Sequence, residues 1–303
     1  MLRAVLQVIR SLCSLEARLE RIQIGLGRIE ERLQGLGGDP SRRPLEFRVF
    51  SQWGEDGILA SLLSRVPIER ELFVEFGVED YSEANTRFLL QTRSWSGLVL
   101  DGSHAHIKRI RESDLYWRHA LKAEQAFVTR ENINELLVRN GVSGDIGLLS
   151  IDIDGNDYWV WRAIDAVSPR VVIVEYNSLF GPDRAVTVPY DARFVRRLKH
   201  HSDLYYGASI AALTRLAEAK GYALVAGNAA GNNAFFVRRD VLGDLVPCRP
   251  AEVYRRAGFR ESRDARGRLT HLDFPACVGL IGDLPAWDVD QERELPIRAL
   301  GLT

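Results

Sequence analysis

Apolar residues recur at alternating three- and four-residue intervals through the first 36 positions: Val5, Val8, Leu12, Leu15, Leu19, Ile22, Leu26, Ile29, Leu33 and Leu36. Arg18, Glu20, Arg21, Arg28, Glu30, Glu31 and Arg32 fill the other faces. A sustained 3.5-residue repeat makes a stripe that packs on a like stripe. Residues 1–38 therefore predict a coiled-coil helix, and a homo-oligomer assembled through it. The competing reading is a single amphipathic helix folded onto its own domain. Gly37-Gly38-Asp39-Pro40-Ser41 breaks the pattern, and residues 39–50 read as a linker.

From residue 51 the pattern changes to short apolar runs separated by helical spacing. SQWGEDGILASLLSRV (51–66) has a capping pattern and then a helix. Strands are expected at 71–77, 96–102, 123–129, 146–154 and 171–177, with helices at 85–93, after Ser103, and over NINELLVRNG up to Gly141. Strands alternating with helices imply right-handed crossovers and a parallel sheet covered on both faces. Residues 178–207 lack periodicity and read as a lid or binding loop. An amphipathic helix at 208–220 is followed by GYALVAG and NNAFFVRRD, an antiparallel edge hairpin around NAAGNN. The expected fold is α/β: a Rossmann-like doubly wound sheet over 51–243, mostly parallel with an antiparallel edge hairpin. The N-terminal helix precedes it. An extension, 244–303, wraps the domain or contacts a partner.

Composition narrows the function classes. A net charge of -1 argues against a general nucleic-acid or anionic-membrane binder. Cys13, Cys248 and Cys277 form no CxxC pair, which gives neither a zinc site nor a disulfide framework and fits a reducing, cytoplasmic compartment. No apolar run approaches the ~20 residues of a membrane span. The opening MLRAVLQVIRSLCSL lacks a convincing cleavage site and is not read as a signal peptide.

The chemistry concentrates on LLSIDIDGNDYWVW (148–161), a buried strand that ends in Asp152, Asp154 and Asp157. Carboxylates at the C-terminal edge of a central parallel strand lie where open α/β sheets bind ligands. Like charges this close repel, so a cation sits among them or some are protonated. Asp152, Asp154, Glu175 and Asn177 are all oxygen ligands and suit Mg²⁺, Mn²⁺ or Ca²⁺. Asp157, His200 and His201 are candidates for the catalytic base, and Asp154 is a further catalytic candidate. Gly77 is small enough to let a ligand approach the backbone. Asp101 ends the next strand, where a carboxylate can accept both ribose hydroxyls, and the lesser reading is a helix N-cap. Gly102 and Ser103 follow on the same loop. Glu75, Glu79 and Asp80 make the first loop acidic, hostile to a pyrophosphate and favourable to a sulfonium and an amino group, which Glu75 could hold. Tyr205 and Tyr206 are candidates for an acceptor wall. Arg184, Arg193, Arg196 and Arg197 read as a solvated basic face or as an anion clamp.

SQWGEDGIL, FVEFGVEDYSEANT, WSGLVLDG, LLSIDIDGNDYWVW, VVIVEYN and GYALVAGNAAGNNAFFVR, in this order, resemble a class I S-adenosylmethionine-dependent methyltransferase. More narrowly they are similar to the FkbM-like, SQxGED-opening group and to metal-dependent sugar O-methyltransferases. The resemblance implies that Gln52, Glu75, Gly77, Asn85, Thr86 and Asp101 line a pocket for S-adenosyl-L-methionine, with Gly102, Ser103 and Asp152 beside them. It also implies a sugar, glycan or natural-product hydroxyl as acceptor and a divalent metal, Mg²⁺ or Mn²⁺. The rival readings are a metal-dependent glycosyltransferase using Asp152-Ile153-Asp154, an NAD-dependent oxidoreductase, and a non-catalytic coiled-coil scaffold.

Overall fold

A computed structural model describes residues 2–36, 45–259 and 261–302. The strands are β1 (Leu72–Phe76), β2 (Ser96–Asp101), β3 (Leu121–Gln125), β4 (Gly144–Ile151), β5 (Val167–Glu175), β6 (Val186–Thr187), β7 (Tyr222–Gly227), β8 (Asn233–Arg238), β9 (Pro285–Asp288) and β10 (Arg293–Pro296). Seven of them form one sheet in the order β3-β2-β1-β4-β5-β8-β7. The first five are mutually parallel, and β8 runs antiparallel to both of its neighbours. This is the expected Rossmann-like sheet. Its hairpin is folded inward, with the return strand β8 inserted between β5 and β7.

The central strands are apolar on both faces because both are covered. Leu149, Ile151, Val172 and Val174 join the core beneath the helices Ile133–Arg139, Asp157–Ala163 and Ile210–Ala219. Leu148, Val171 and Ile173 join the opposite core beneath Glu55–Arg65, Arg87–Thr92 and His104–Glu112. The strand expected at 123–129 starts and stops earlier. Leu121 and Ala123 point inward while Lys122 is exposed, an alternation proper to an edge strand. After Ala126, whose N–H still donates to the Asp101 carbonyl, the apolar residues Phe127 and Val128 lie in a loop.

The insertion and the C-terminal extension fold together. β6 pairs with β9 and β9 with β10, over a third apolar cluster that includes Phe180, Phe194, Tyr205, Ile281 and Ile297.

The N-terminal helix runs from Leu2 to Leu36. It lies on the domain through the face opposite its apolar stripe. Glu20 pairs with Arg87 at 2.7 Å, Glu31 pairs with Arg93, and Gln23 donates to the Val49 carbonyl. Gly27 sits so close to Val49 and Phe88 that a side chain would not fit. Leu15, Leu19, Ile22, Leu26, Ile29, Leu33 and Leu36 are left between 51% and 81% exposed. The stripe's earlier side chains, Val5, Val8 and Leu12, lie outside the described residues, as does the first half of the expected linker. Its last part is no linker: Phe47, Val49 and Phe50 are buried.

Candidate active site

The strand order reverses between β1 and β4, and their C-terminal ends open onto a cavity of about 670 Å³. Gly77 is the hinge of this opening. Its φ is +71°, and a Cβ there would lie 1.6 Å from the carbonyl oxygen of Asp152. The glycine is therefore required by the approach of the β4 end, where the sequence suggested the approach of a ligand. It still lines the cavity.

The SQWGED stretch is a fastening. Asp56 Oδ2 accepts from the backbone N–H groups of Val49, Phe50 and Ser51 and from the Ser51 hydroxyl, all at 2.8 Å. Burial pushes this carboxyl up against those bonds. Glu55 Oε1 accepts from the amides of Asn228 and Asn233, tying the loop to the β7–β8 hairpin. The helix starts on Gly54, with no side-chain cap, where a capping pattern was expected. Gln52 and Trp53 are thereby held at the cavity rim.

Glu75 is buried at the cavity floor. Its four acceptor sites are all used: Oε1 by Asn85 N–H and the Ser150 hydroxyl, Oε2 by the N–H and hydroxyl of Thr86. It shapes the 84–86 turn and has no lone pair left for the ammonium group expected of it. Thr86 is consumed by this contact and by Tyr81, and does not line the cavity. Asn85 does. Asp101 lines it too, with Oδ2 accepting from Glu79 N–H and Oδ1 from Ser103 N–H; His106 Nδ1 lies 3.2 Å from Oδ1. Gly102 is at the wall, whereas Ser103 caps the following helix by accepting from His106 N–H.

Across the cavity, carboxylate oxygens of Asp152, Asp154 and Glu175 lie within 4.8 Å of one another. Burial first, and mutual repulsion second, raise Asp152 and Glu175 well above ordinary carboxylates. Glu175 Oε2 is buried with no hydrogen-bond partner. The cation that repulsion demands is present: Arg196 Nη1 donates to Asp154 Oδ1 at 2.6 Å, and the guanidinium lies 3.8 Å over the Tyr206 ring. The insertion's arginines had no periodicity to mark which one turns inward. The acidic turn was the signal, because it needed a counter-charge from somewhere.

Three expected members fall away. Asn177 donates to the carbonyls of Leu204 and Tyr206 and accepts from Leu179 N–H, so its amide organises the turn after β5 and offers no ligand. Asp157 is buried and accepts from Ile153 and Gly155 N–H at 2.9 Å each, closing the acidic turn from beneath. Burial pushes it up to about 6. His201 is exposed, its ring 4.2 Å from that of His200, and neither lines the cavity. Residues missed in the sequence also line it: His106, Phe127, Asn232, Asn233, Phe259 and Glu261. Phe259 stacks on Trp53 at 5.5 Å and 12°. They come from separated loops, and nothing local distinguishes them.

No family model matches the chain, and no curated protein matches it. Solved structures align weakly. The N-terminal domain of EvdMO1 with SAH bound aligns at 13% identity over 69% of this chain and 94% of that one, with a TM-score of 0.41. An O-methyltransferase family protein from Burkholderia thailandensis aligns at 10% identity over 59% and 52%, TM-score 0.37. An S-adenosylmethionine-dependent methyltransferase from Clostridium acetobutylicum aligns at 11% identity over 45% and 56%, TM-score 0.32. The chain thus spans about half the length of the last two.

Proposed function

We propose that this chain is an S-adenosylmethionine-dependent O-methyltransferase acting on a sugar or natural-product hydroxyl, assisted by a divalent cation. One observation carries the reading. A single cavity at the switch point joins Gly77 and Asp101 on one side to Asp152, Asp154 and Glu175 on the other. Glu75, Glu79, Glu83 and Glu261 add to its negative lining, while Arg196 is its one arginine among the described residues. That field attracts a sulfonium donor and repels the diphosphate of a dinucleotide or sugar nucleotide.

The donor set fits a hard cation: three carboxylates in reach of one centre, one with an orphaned buried oxygen. Asp152, Asp154 and Glu175 would hold it, and when bound it would lower the pKa of an acceptor hydroxyl. The chain's own groups do the rest. Asp101 holds the ribose end of the donor. Arg196 holds Asp154, the most exposed of the three carboxylates, toward the cavity. The methyl group passes from sulfur to the hydroxyl oxygen in line, and the hydroxyl proton leaves to solvent at the open rim of the cavity. Phe127 and the Trp53–Phe259 stack limit water access.

The exposed stripe of the N-terminal helix supports the second part of the reading, self-association. Its spacing is a regular heptad, and the helix is already anchored by its other face. Calorimetry with S-adenosylhomocysteine, NAD and UDP tests the class. Binding of the homocysteine compound alone is the expected result; binding of UDP alone would select the glycosyltransferase.

A further inference from the structure

A second cavity, about 390 Å³, lies behind the acidic cluster and shares Arg196, Phe259 and Glu261 with the first. We propose that it is an acceptor subsite for an apolar body, so that the acceptor is amphipathic: its reacting hydroxyl in the first cavity, its alkyl or aryl remainder in the second. This rests on the methyltransferase reading for the direction in which the hydroxyl points.

The chamber is built between the turn after β5 and the C-terminal extension. Several of its polar groups are already engaged. Asn177 uses both amide ends on the backbone, and Ser178 Oγ accepts from Ala257 N–H. Asp273 caps the helix Phe274–Ile281 by accepting from Ala276 N–H at 3.0 Å. The Arg256 guanidinium lies 3.8 Å over the Phe274 ring. A hydrophilic glycan needs donors and acceptors that Asn177, spent on the backbone, no longer offers. Somewhat more of the wall is apolar than polar, with Leu179, Leu204, Leu272, Phe274 and Phe259 among its residues. Its size is at the small end of ordinary ligand sites, enough for an alkyl chain or a ring.

The boundary between the two cavities is Arg196. Its guanidinium bonds Asp154 at 2.6 Å on one side, lies 3.7 Å from Glu261 on the other, and rests on Tyr206. An acceptor spanning both cavities passes beside this group, with its polar end at the carboxylates and its apolar end beyond Tyr206. The arrangement gives the C-terminal extension a role in selecting the acceptor.

The test is calorimetric, on the full chain with and without saturating S-adenosylhomocysteine. The probes are methyl and octyl β-D-glucopyranoside, the latter below its micellar concentration. The octyl compound is expected to bind at least about tenfold tighter, from burial of its chain. Ala257→Trp adds bulk at the half-buried wall of the chamber and is expected to abolish the advantage without changing homocysteine-compound affinity or melting temperature. Gly258→Trp, at a position with open space around it, serves the same end should the first variant fold poorly. Equal binding of the two glucosides, absence of binding by either, or an advantage that survives both variants would overturn the subsite. Failure of the methyltransferase reading shows separately, as absence of homocysteine-compound binding to the unmodified chain.

Discussion

Replacing Gly77 by alanine isolates the feature on which the donor side of the cavity depends. Two costs add. A residue with a Cβ held at φ +71° costs about 1–2 kcal/mol. The new methyl group would sit 1.6 Å from the Asp152 carbonyl, which is backbone and cannot rotate away. Forced overpacking of this kind costs roughly 1–3 kcal/mol. Alanine also narrows the unfolded ensemble, which returns up to about 1 kcal/mol. The net expectation is a loss of about 1–4 kcal/mol, or roughly 2–15 °C in melting temperature for a domain of this size. Because the relief must separate β1 from β4 at the cavity floor, affinity for S-adenosylhomocysteine should fall at least about tenfold. Thermal unfolding followed by calorimetry reads both. Gly102→Ala is the control, since its Cβ meets only Phe127 at 3.6 Å. Wild-type melting and wild-type affinity in Gly77→Ala would refute the geometry.

Other outcomes follow from the same site. Arg196→Met removes the cation from the acidic cluster; because Asp154 is largely exposed, the expected loss is only about 1–2 kcal/mol. Added Mn²⁺ should restore the melting temperature by binding the native state, and a loss that no divalent ion repairs would count against the cation site. Chelation of the purified enzyme should abolish methyl transfer while leaving homocysteine-compound binding intact; full activity in chelator would refute metal assistance. Asp157, raised from 3.8 to about 6 in the fold, contributes stability that is complete below pH 3.8 and is lost as pH rises through about 6. In chelator, the stability of the wild type relative to Asp157→Asn should therefore shrink by about 2 kcal/mol between pH 4 and 7, read by denaturant titration; a pH-independent difference would remove the assignment. Leu19→Asp with Leu26→Asp should leave the domain folded and convert an oligomer to a monomer in sedimentation, whereas an unmodified chain that already sediments as a monomer would contradict self-association.

The linear chain was enough to specify the sheet. The run VVIV is apolar at every position and LLSI at all but Ser150, which only a strand covered on both faces accommodates, and the helices between them leave few topologies open. The acidic turn at 152–157 was equally legible, because Asp, Gly and Asn after a buried strand mark both a turn and a concentration of charge. Which of those carboxylates faces outward was not legible. Asp154 and Asp157 have the same chemistry, yet one meets Arg196 across the cavity and the other is spent on the backbone N–H groups of its own turn. Asn177 and Glu75 were diverted in the same way, by hydrogen-bonding partners that lie nearby only once the chain has folded. The N-terminal helix shows the distinction most plainly. Its stripe was written in its period, but the docking of the opposite face depends on Arg87, Arg93 and Val49, and contacts across such separations leave no periodic mark. Local spacing fixes what a segment can become, while side-chain saturation and counter-charge are settled only by neighbours brought together in space.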